Sequence, residues 1–487
     1  MIDSLGFSRT RAARLVKRAR AIGLIGIMSF LVSAPGWAQE LSPNDPYYYS
    51  VGSWGQSYDD QWAVKQVGFG GPKTAWDMLG PDPQPVVVAV VDTGLDWNHF
   101  DLSNDNIWRN GGEIADNGID DDDNGFVDDL IGWDFFTQTN KPWDNDGHGT
   151  FVSGLIAAKK DNHVGIAGIN PHAKIMVVKA VNNFGHSRAS FVARGIVYAV
   201  DNGAKIINLS VGGPDATLVE KAALDYAAKK GVLVVAAAGN EGKNIAKYGL
   251  VTHPAVLTVA ASDPDGNRAP FSNWGRAIAV AAPGVDILSL RARRTDTMLD
   301  LVPNYQPGTA YVGADKRYYR TSGTSFSAPI VTGIASLLLT KNPALTAVDL
   351  KRILTNSARD IDAPGVDQLT GYGRIDALAA LAQDPAFSME AEITGLTMGS
   401  GSDTNRVIVT GTANADQMTS AQVEIGKGDN PSTWKKIGDR INKPVTNGRL
   451  TTISAGDLQG ASVWTVRVVV THKNRRTLEN RFRLTME

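Results

Sequence analysis

Three side chains of complementary chemistry lie in short motifs far apart in the sequence. Asp92 follows the apolar run VVVAVV, His148 lies between glycines in DNDGHGTFVSGLIAA, and Ser325 lies in TSGTSFSAP just before an apolar helical stretch. A hydroxyl nucleophile, an imidazole base and a carboxylate that orients the base are the groups that acyl transfer requires. A helix N-terminus at Ser325 would also favour the negative charge that develops beside its hydroxyl. The three motifs together predict a catalytic triad.

Each motif alone has a plainer interpretation. The Asp92-Thr-Gly sequence could be a turn after a strand or a fragment of an aspartic protease, although it occurs in one copy. A histidine between glycines is more often a loop residue than a catalyst, and a serine before a helix is most often an N-cap. The set favours catalysis, because all three motifs are expected at strand and helix ends of one sheet.

Six apolar runs without polar alternation are interspersed with helical stretches between residues 61 and 387. The runs are VVVAVV (86–91), KIMVVKAV (174–181), KIINLSV (205–211), VLVVAAA (232–238), AVLTVAA (255–261) and AIAVAA (277–282). Strands buried on both faces of a parallel sheet have this composition. Helices are predicted from near Asp215 to Gly231 and from Ser187 to near Gly203. The pattern predicts an α/β fold with a doubly wound, mostly parallel sheet and ligands at the carboxyl ends of its strands.

The two ends of the chain differ from this α/β region. Residues 1–38 have a basic start, the apolar stretch AIGLIGIMSFLVSA and small residues at the end, and they predict a signal peptide cleaved after Ala38. The apolar stretch is shorter than the ~20 residues that span a bilayer. Residues 39–60 are predicted to form an extended polar arm. Residues 388–487 have several strand patterns and no helical pattern, which predicts a smaller, all-β sandwich domain.

The composition is that of a soluble globular protein, with 43% hydrophobic and 20% charged residues. A length of 487 residues favours two folded units. The formal net charge of −2 argues against a nucleic-acid-binding protein. Cysteine is absent, so stability outside the cell must come from the core and from bound cations.

The chain resembles the subtilisin-like (subtilase) family over about residues 60–385. The resemblance rests on VVDTG at Asp92, on HGT at His148, and on GTSFSAP around Ser325, in the order Asp, His, Ser that the family shares. Further matching segments are Ser210-Val211-Gly212-Gly213, Ala238-Gly239-Asn240, FSNWG (271–275) and AAPG (281–284). A subtilisin-like fold and a serine endopeptidase activity are what the resemblance implies.

The resemblance also implies a role for each matching residue. Ser325 would attack the scissile carbonyl, His148 would carry the proton from Ser325 to the leaving amine, and Asp92 would orient the imidazole. The Asn240 side chain and the Ser325 backbone N–H would stabilise the oxyanion, whereas the plainer interpretation of Asn240 is a turn residue. An extended peptide would pair with backbone groups of the segment that follows the strand, which implies a broad substrate range. The substrate-binding residues are Ser210, Val211, Gly212 and Gly213.

Three features depart from the family pattern. The stretch from Lys247 to Pro254 is short where the family lines its specificity pocket, so no side-chain preference follows. Residues 291–320 form a long insertion, which we expect to be a surface loop. About 22 residues separate Ala38 from Gln61, too few for the family's usual inhibitory pro-domain.

An acidic segment with eight carboxylates extends from Glu113 to Asp129. Counted from Asp120, it matches the first nine positions of an EF-hand calcium loop. The predicted ligands are Asp120, Asp122, Asn124, the Phe126 carbonyl and Asp128. Position 12 is Ile131 where a glutamate is expected, so the match is partial and a solvated acidic loop is the alternative. Repulsion among four consecutive aspartates favours bound calcium.

The resemblance implies a second calcium site with oxygen ligands. The predicted ligands are Asp101, the Asn162 side chain, and the backbone carbonyls of Lys160, Val164 and Ile166. A further, N-terminal ligand is expected near Asp59 or Asp60.

We therefore expect a secreted serine endopeptidase, extracellular or periplasmic, that acts on protein or peptide substrates as a monomer. No nucleic acid and no transmembrane anchor after signal cleavage are expected. The alternative is a catalytically silent subtilase-like protein that binds through its β-sandwich, although every triad and oxyanion position is filled. An esterase or lipase is disfavoured, because Ser325 lacks the Gly-x-Ser-x-Gly elbow and the triad order differs.

Overall fold

The computed structural model describes residues 43–213, 217–293 and 310–486. Its helices are α1 (Pro46–Tyr49), α2 (Trp62–Val64), α3 (His148–Ala157), α4 (Ala189–Asp201), α5 (Leu218–Lys229), α6 (Thr324–Lys341), α7 (Ala347–Asn356) and α8 (Ala377–Ala382). The first ten strands are β1 (Val86–Asp92), β2 (Gly132–Asp134), β3 (Ala173–Lys179), β4 (Ile206–Leu209), β5 (Leu233–Ala237), β6 (Val256–Ser262), β7 (Ile278–Pro283), β8 (Ile287–Leu290), β9 (Tyr311–Val312) and β10 (Tyr318–Thr321). The other strands are β11 (Met389–Met398), β12 (Arg406–Ala415), β13 (Met418–Lys427), β14 (Lys435–Ile441), β15 (Val445–Ser454), β16 (Val463–His472) and β17 (Thr477–Thr485). The predicted signal peptide, residues 1–38, lies outside the described residues.

A seven-stranded sheet in the order β2-β3-β1-β4-β5-β6-β7 forms the centre of the α/β region. Each neighbouring pair of strands is parallel, so the predicted doubly wound fold is confirmed. The six predicted apolar runs contain or overlap six of these strands. The sequence analysis did not predict β2, because a strand of three residues has too few positions for a pattern.

Both faces of this sheet are buried, which explains the runs without polar alternation. Along β1, Val88 and Val90 pack into a core shared with α3 and α6, whereas Ala89 and Val91 pack into a second core shared with α4 and α5. A strand between two such layers has no position where a polar side chain reaches water. The carboxyl end of β1 therefore emerges between helices on both sides.

The end of the chain forms two antiparallel sheets, in the orders β11-β12-β15 and β14-β13-β16-β17. They enclose a core of their own, to which β16 contributes Val466, Val468 and Val470 at alternating positions. The predicted second region of β-sheets is therefore confirmed, and the boundary at residue 388 stays a prediction. The sandwich is hydrogen-bonded to the α/β region, since Arg276 donates to the backbone carbonyls of Ile393 and Thr394 at 2.9 Å each.

Two expectations about peripheral segments were wrong. The described parts of the insertion, residues 291–293 and 310–320, do not form a plain surface loop, because β9 and β10 form an antiparallel sheet with β8 and bury Tyr318 and Tyr319. The described part of the arm, residues 43–60, contains α1 and a buried aspartate, Asp60, instead of being extended. Within the described ranges, no helix is both long enough and apolar enough to cross a bilayer.

Candidate active site

Asp92 and His148 are hydrogen-bonded at the carboxyl end of β1. Asp92 is the last residue of β1 and is fully buried, and His148 is the first residue of α3. The His148 Nδ1 atom lies 2.8 Å from the Asp92 Oδ1 atom. Because Nδ1 is occupied by the carboxylate, Nε2 is the ring nitrogen that remains able to accept a proton.

Close packing of two glycines allows this contact. A Cβ atom on Gly149, which follows His148, would lie 2.2 Å from the carbonyl oxygen of Gly94, two residues after Asp92. A Cβ atom on Gly94 would lie 2.5 Å from the carbonyl oxygen of Pro142. The glycines in the Asp-Thr-Gly and His-Gly-Thr sequences therefore let the first turn of α3 approach the end of β1.

The charges around His148 raise its pKa. Burial alone would lower this pKa, but the negative charge and hydrogen bond of Asp92, with the nearby charges of Asp146 and Asp144, raise it to about 9. Burial also raises the pKa of Asp146 to about 6. The imidazole is therefore held largely protonated at neutral pH and becomes a competent base under alkaline conditions.

Ser325 is the second residue of α6 and faces the same cleft as His148. Its hydroxyl donates to the backbone carbonyl of Ser210 at 3.2 Å, and the Ser210 hydroxyl donates to the Ser325 carbonyl at 2.9 Å. Among the described residues the Ser325 hydroxyl is thus bonded to Ser210 and not to the His148 ring. Catalytic hydrogen bonds often form only when substrate is bound.

The Asn240 side chain is oriented by the start of α6. Its Oδ1 atom accepts hydrogen bonds from the backbone N–H and the hydroxyl of Thr324, at 2.8 and 2.9 Å. The amide nitrogen is consequently on the other side, 3.5 Å from the position that a Cβ atom on Gly323 would take. Asn240 therefore presents N–H donors beside the N-terminus of α6, where Ser325 also has a free helical N–H.

A cleft of about 630 Å³ contains these groups. The four predicted substrate-binding residues, 210–213, form part of its lining. Sequence reasoning missed a second lining segment, Gly185–Ala189. Tyr248, Leu250 and Val251 also line the cleft, and they belong to the stretch that corresponds to the family's specificity pocket, for which no side-chain preference was predicted. The cleft therefore brings together a hydroxyl, an imidazole and amide N–H donors.

The comparisons with known proteins agree with this geometry. The subtilase family model matches residues 84–373, more than half of the chain. The chain belongs to the subtilase family. This subtilase is 33% identical to thermitase of Thermoactinomyces vulgaris, over 70% of this chain and 99% of that protein. It is also 33% identical to the thermophilic serine proteinase of Bacillus sp. strain AK1, over 70% of this chain and 69% of that protein.

A solved structure from Pseudoalteromonas arctica PAMC 21717, described as a protease, shares 30% sequence identity with this subtilase. The match covers 70% of this chain and 98% of that one, with a TM-score of 0.53. The subtilisin-like fold and the identification of the chain as a serine endopeptidase are therefore established.

The acidic loop of this subtilase brings together two of the predicted carboxylates, Asp120 and Asp122, and a third, Glu113, that was not predicted as a ligand. Oxygen atoms of Glu113, Asp120 and Asp122 lie within 4.8 Å of one another. Asp128 instead accepts hydrogen bonds from the backbone N–H groups of Asn117 and Gly118, at 3.1 and 3.0 Å. The sequence analysis missed Glu113 because it lies outside the nine-residue register of the EF-hand pattern.

Asn124 and Phe126 stay close to this cluster through local turns. The Asn124 backbone N–H donates to Asp120 at 3.1 Å and to Asp122 at 3.2 Å, and the Phe126 N–H donates to the Asn124 side chain at 2.8 Å. The potential metal ligands in this loop are oxygen atoms, which are the ligands that calcium prefers.

The second predicted cation region is centred on Asp101, whose burial raises its pKa to about 7. Asp101 accepts hydrogen bonds from the Asn162 side chain at 2.8 Å and from the Ile166 N–H at 3.0 Å. The segment with Lys160 and Val164 therefore folds around this carboxylate.

The structure brings Asp45 to this region, whereas the N-terminal ligand was expected near Asp59 or Asp60. Asp60 accepts hydrogen bonds from Ser53 and Gln56 within the arm. Asp45 instead reaches the region, where its Oδ2 atom accepts the Asp161 N–H at 3.0 Å. Its Oδ1 atom is buried without a hydrogen-bond partner among the described residues. An orphaned buried carboxylate oxygen beside Asp101 fits a cation site.

Proposed function

We propose that this subtilase is a secreted endopeptidase that cleaves peptide bonds through an acyl-enzyme on Ser325 and has a broad substrate range. The observation that carries the proposal is the 2.8 Å contact between His148 and Asp92, in the same cleft as Ser325 and Asn240. Ser325 attacks the scissile carbonyl carbon, and His148 Nε2 accepts the hydroxyl proton. Asp92 holds the ring in the required tautomer and stabilises the imidazolium.

The tetrahedral intermediate carries its negative charge on the former carbonyl oxygen. The Asn240 amide and the Ser325 backbone N–H donate to that oxygen, and the N-terminus of α6 adds a favourable dipole. The imidazolium then returns the proton to the leaving amine, which departs and leaves the acyl group on Ser325. Water activated by His148 releases the acyl group and restores the enzyme.

Substrate recognition through the backbone supports the broad substrate range. Space is open beside the Cα atoms of Gly212 and Gly213, since a Cβ atom on either would meet nothing within 4 Å. An extended peptide can approach this segment and pair with its backbone groups, which are common to all residues. Residues 1–38 direct export in this proposal, and residues 388–487 act as a separate sandwich domain.

We also propose one or two calcium sites that stabilise the folded chain. Glu113, Asp120 and Asp122 would hold one ion, and Asp101, Asp45, the Asn162 side chain and the carbonyls of Lys160, Val164 and Ile166 would hold the other. A bound Ca²⁺ supplies positive charge that neutralises clustered carboxylates and ties the segments that carry them together.

Labelling with a fluorophosphonate probe tests the peptidase proposal. The purified wild-type protein with calcium is expected to react stoichiometrically, and Ser325→Ala is expected not to react. Equal labelling of both proteins would place the nucleophile elsewhere. Absence of labelling in a well-folded wild type would favour a silent, binding-only subtilase.

A further inference from the structure

The Asp144 carboxylate lies next to the active site, and the proposed mechanism gives it no role. It is fully buried and accepts five hydrogen bonds. The donors are the hydroxyls of Thr93 and Thr150 at 2.9 and 2.6 Å, and the backbone N–H groups of Asp146, Gly147 and Thr150 at 3.0, 2.8 and 2.9 Å. Five donors on a single buried carboxylate fix its position and that of each donor.

These donors lie on both sides of the contact between Asp92 and His148. Thr93 directly follows Asp92 at the end of β1, and Thr150 is two residues after His148 in α3. The Thr93 hydroxyl, which donates to Asp144, also accepts the Gly149 N–H at 2.8 Å. Asp144 therefore connects the strand that carries the acid to the helix that carries the base.

We propose that Asp144 is a positioning residue that holds His148 at hydrogen-bond distance from Asp92. The inference rests on the proposed role of this pair in peptide cleavage. An asparagine in its place keeps the shape but offers one acceptor oxygen, so an N–H group would face the Thr150 N–H. The first turn of α3 must then shift away from β1, and the imidazole moves with it.

The charge of Asp144 supports the same role. The carboxylates whose charges raise the pKa of His148 are Asp92 at the end of β1 and Asp146 and Asp144 in the loop before α3. Lys179, at the end of β3, interacts electrostatically with the same three carboxylates. Lys179 is buried, and its ammonium group donates to the Thr93 carbonyl. Asp144 is one of the carboxylates that raise the pKa of His148.

Replacement by Asn tests the proposal, with Asp134→Asn as the matched control. Asp134 is also buried, at the end of β2, and caps a turn by accepting the N–H groups of Phe136 and Thr137 at 2.8 and 3.1 Å. We expect Asp144→Asn to lower kcat/KM about tenfold, mainly through kcat, because the misplaced base impairs every turnover. The midpoint of the acid limb of the pH profile should also move to lower pH.

In Asp134→Asn, kcat/KM and the midpoint of the acid limb should match those of the wild type, although the melting temperature of this variant also falls. The proposal is overturned if kcat and the midpoint of the acid limb in Asp144→Asn match those of the wild type. It is also overturned if Asp134→Asn changes kcat and this midpoint as much as Asp144→Asn does.

Thr150 provides a second test if Asp144→Asn fails to fold. Thr150→Val removes one donor to Asp144 and is expected to lower kcat several-fold, whereas Thr150→Ser keeps the hydroxyl and restores kcat. Equal activity of the Val and Ser variants would refute the positioning role. An inactive, unlabelled wild type would contradict the proposed function itself, whereas an active wild type with unaltered variants contradicts only the role of Asp144.

Discussion

The charges around His148 predict an alkaline pH profile that can be altered by one substitution. A pKa of about 9 leaves about 1% of the imidazole neutral at pH 7, and only the neutral ring can accept the Ser325 proton. The value of kcat/KM should therefore rise about tenfold for each pH unit below that pKa. Replacement of Asp146 by Asn removes one of the charges that hold the proton on His148.

The size of the effect follows from the position of Asp146. Its Oδ1 atom accepts the His148 backbone N–H at 3.1 Å, and its charge is one of those that raise the pKa of the His148 ring. A nearby carboxylate typically changes a pKa by about one unit. The pKa of Asp146 is about 6, so its carboxylate is ionised throughout the alkaline range. We expect Asp146→Asn to lower the midpoint of the acid limb by about one pH unit. Relative to the plateau, activity at pH 7 should then rise by up to about tenfold.

Initial rates on a chromogenic peptide anilide, measured at constant ionic strength from about pH 6 to 11, give the midpoint. Asp265→Asn, an exposed aspartate outside the cleft lining, is the control and should reproduce the wild-type profile. A wild-type midpoint at or below 6.5, or the same midpoint in Asp146→Asn and wild type, would refute the electrostatic reasoning.

Three further predictions concern the oxyanion donor, the glycine contact and the cation sites. Asn240→Ala should lower kcat about 10²–10³-fold with little change in KM, and a loss confined to KM would exclude an oxyanion role. Gly149→Ala should lower both activity and melting temperature, because its Cβ atom would lie 2.2 Å from the Gly94 carbonyl oxygen. Gly111→Ala is the control and should change neither, because a Cβ atom at Gly111 would meet nothing within 4 Å. A chelator should lower the melting temperature of the wild type by several degrees and that of Asp101→Asn by less. An unchanged melting curve of the wild type would count against both calcium sites.

Much of the α/β fold could be predicted, because strands that are buried on both faces of a sheet have apolar sequences without polar alternation. The apolar runs predicted β1 and β3 to β7, since strands inside two cores cannot alternate. Helix α5 was also predicted, although its N-cap is Thr217, with a capping box to Glu220, and not Asp215, which lies outside the described residues. The short strand β2 was missed, because three residues are too few to show a pattern.

The prediction of the site depended on how local each feature is. Asp92, His148 and Ser325 each lie in a short motif that can be recognised from neighbouring residues alone. The hydrogen bonds of Asp144 and the orientation of Asn240 depend instead on contacts between segments that are distant in sequence. The cation ligands show the same limit. Asp128 fits the spacing of a calcium loop but is bonded to a neighbouring turn, and Asp45 reaches its region only through the fold of the arm.

The most direct test of the central claim is to trap the acyl-enzyme. The wild-type protein is mixed with a slowly deacylating peptide ester, quenched in acid and digested for mass spectrometry. We predict an acyl adduct on the peptide that contains Ser325, in near-stoichiometric amount, and none in His148→Ala over the same time. An adduct on another residue, or turnover without any adduct in Ser325→Ala, would contradict the proposed mechanism.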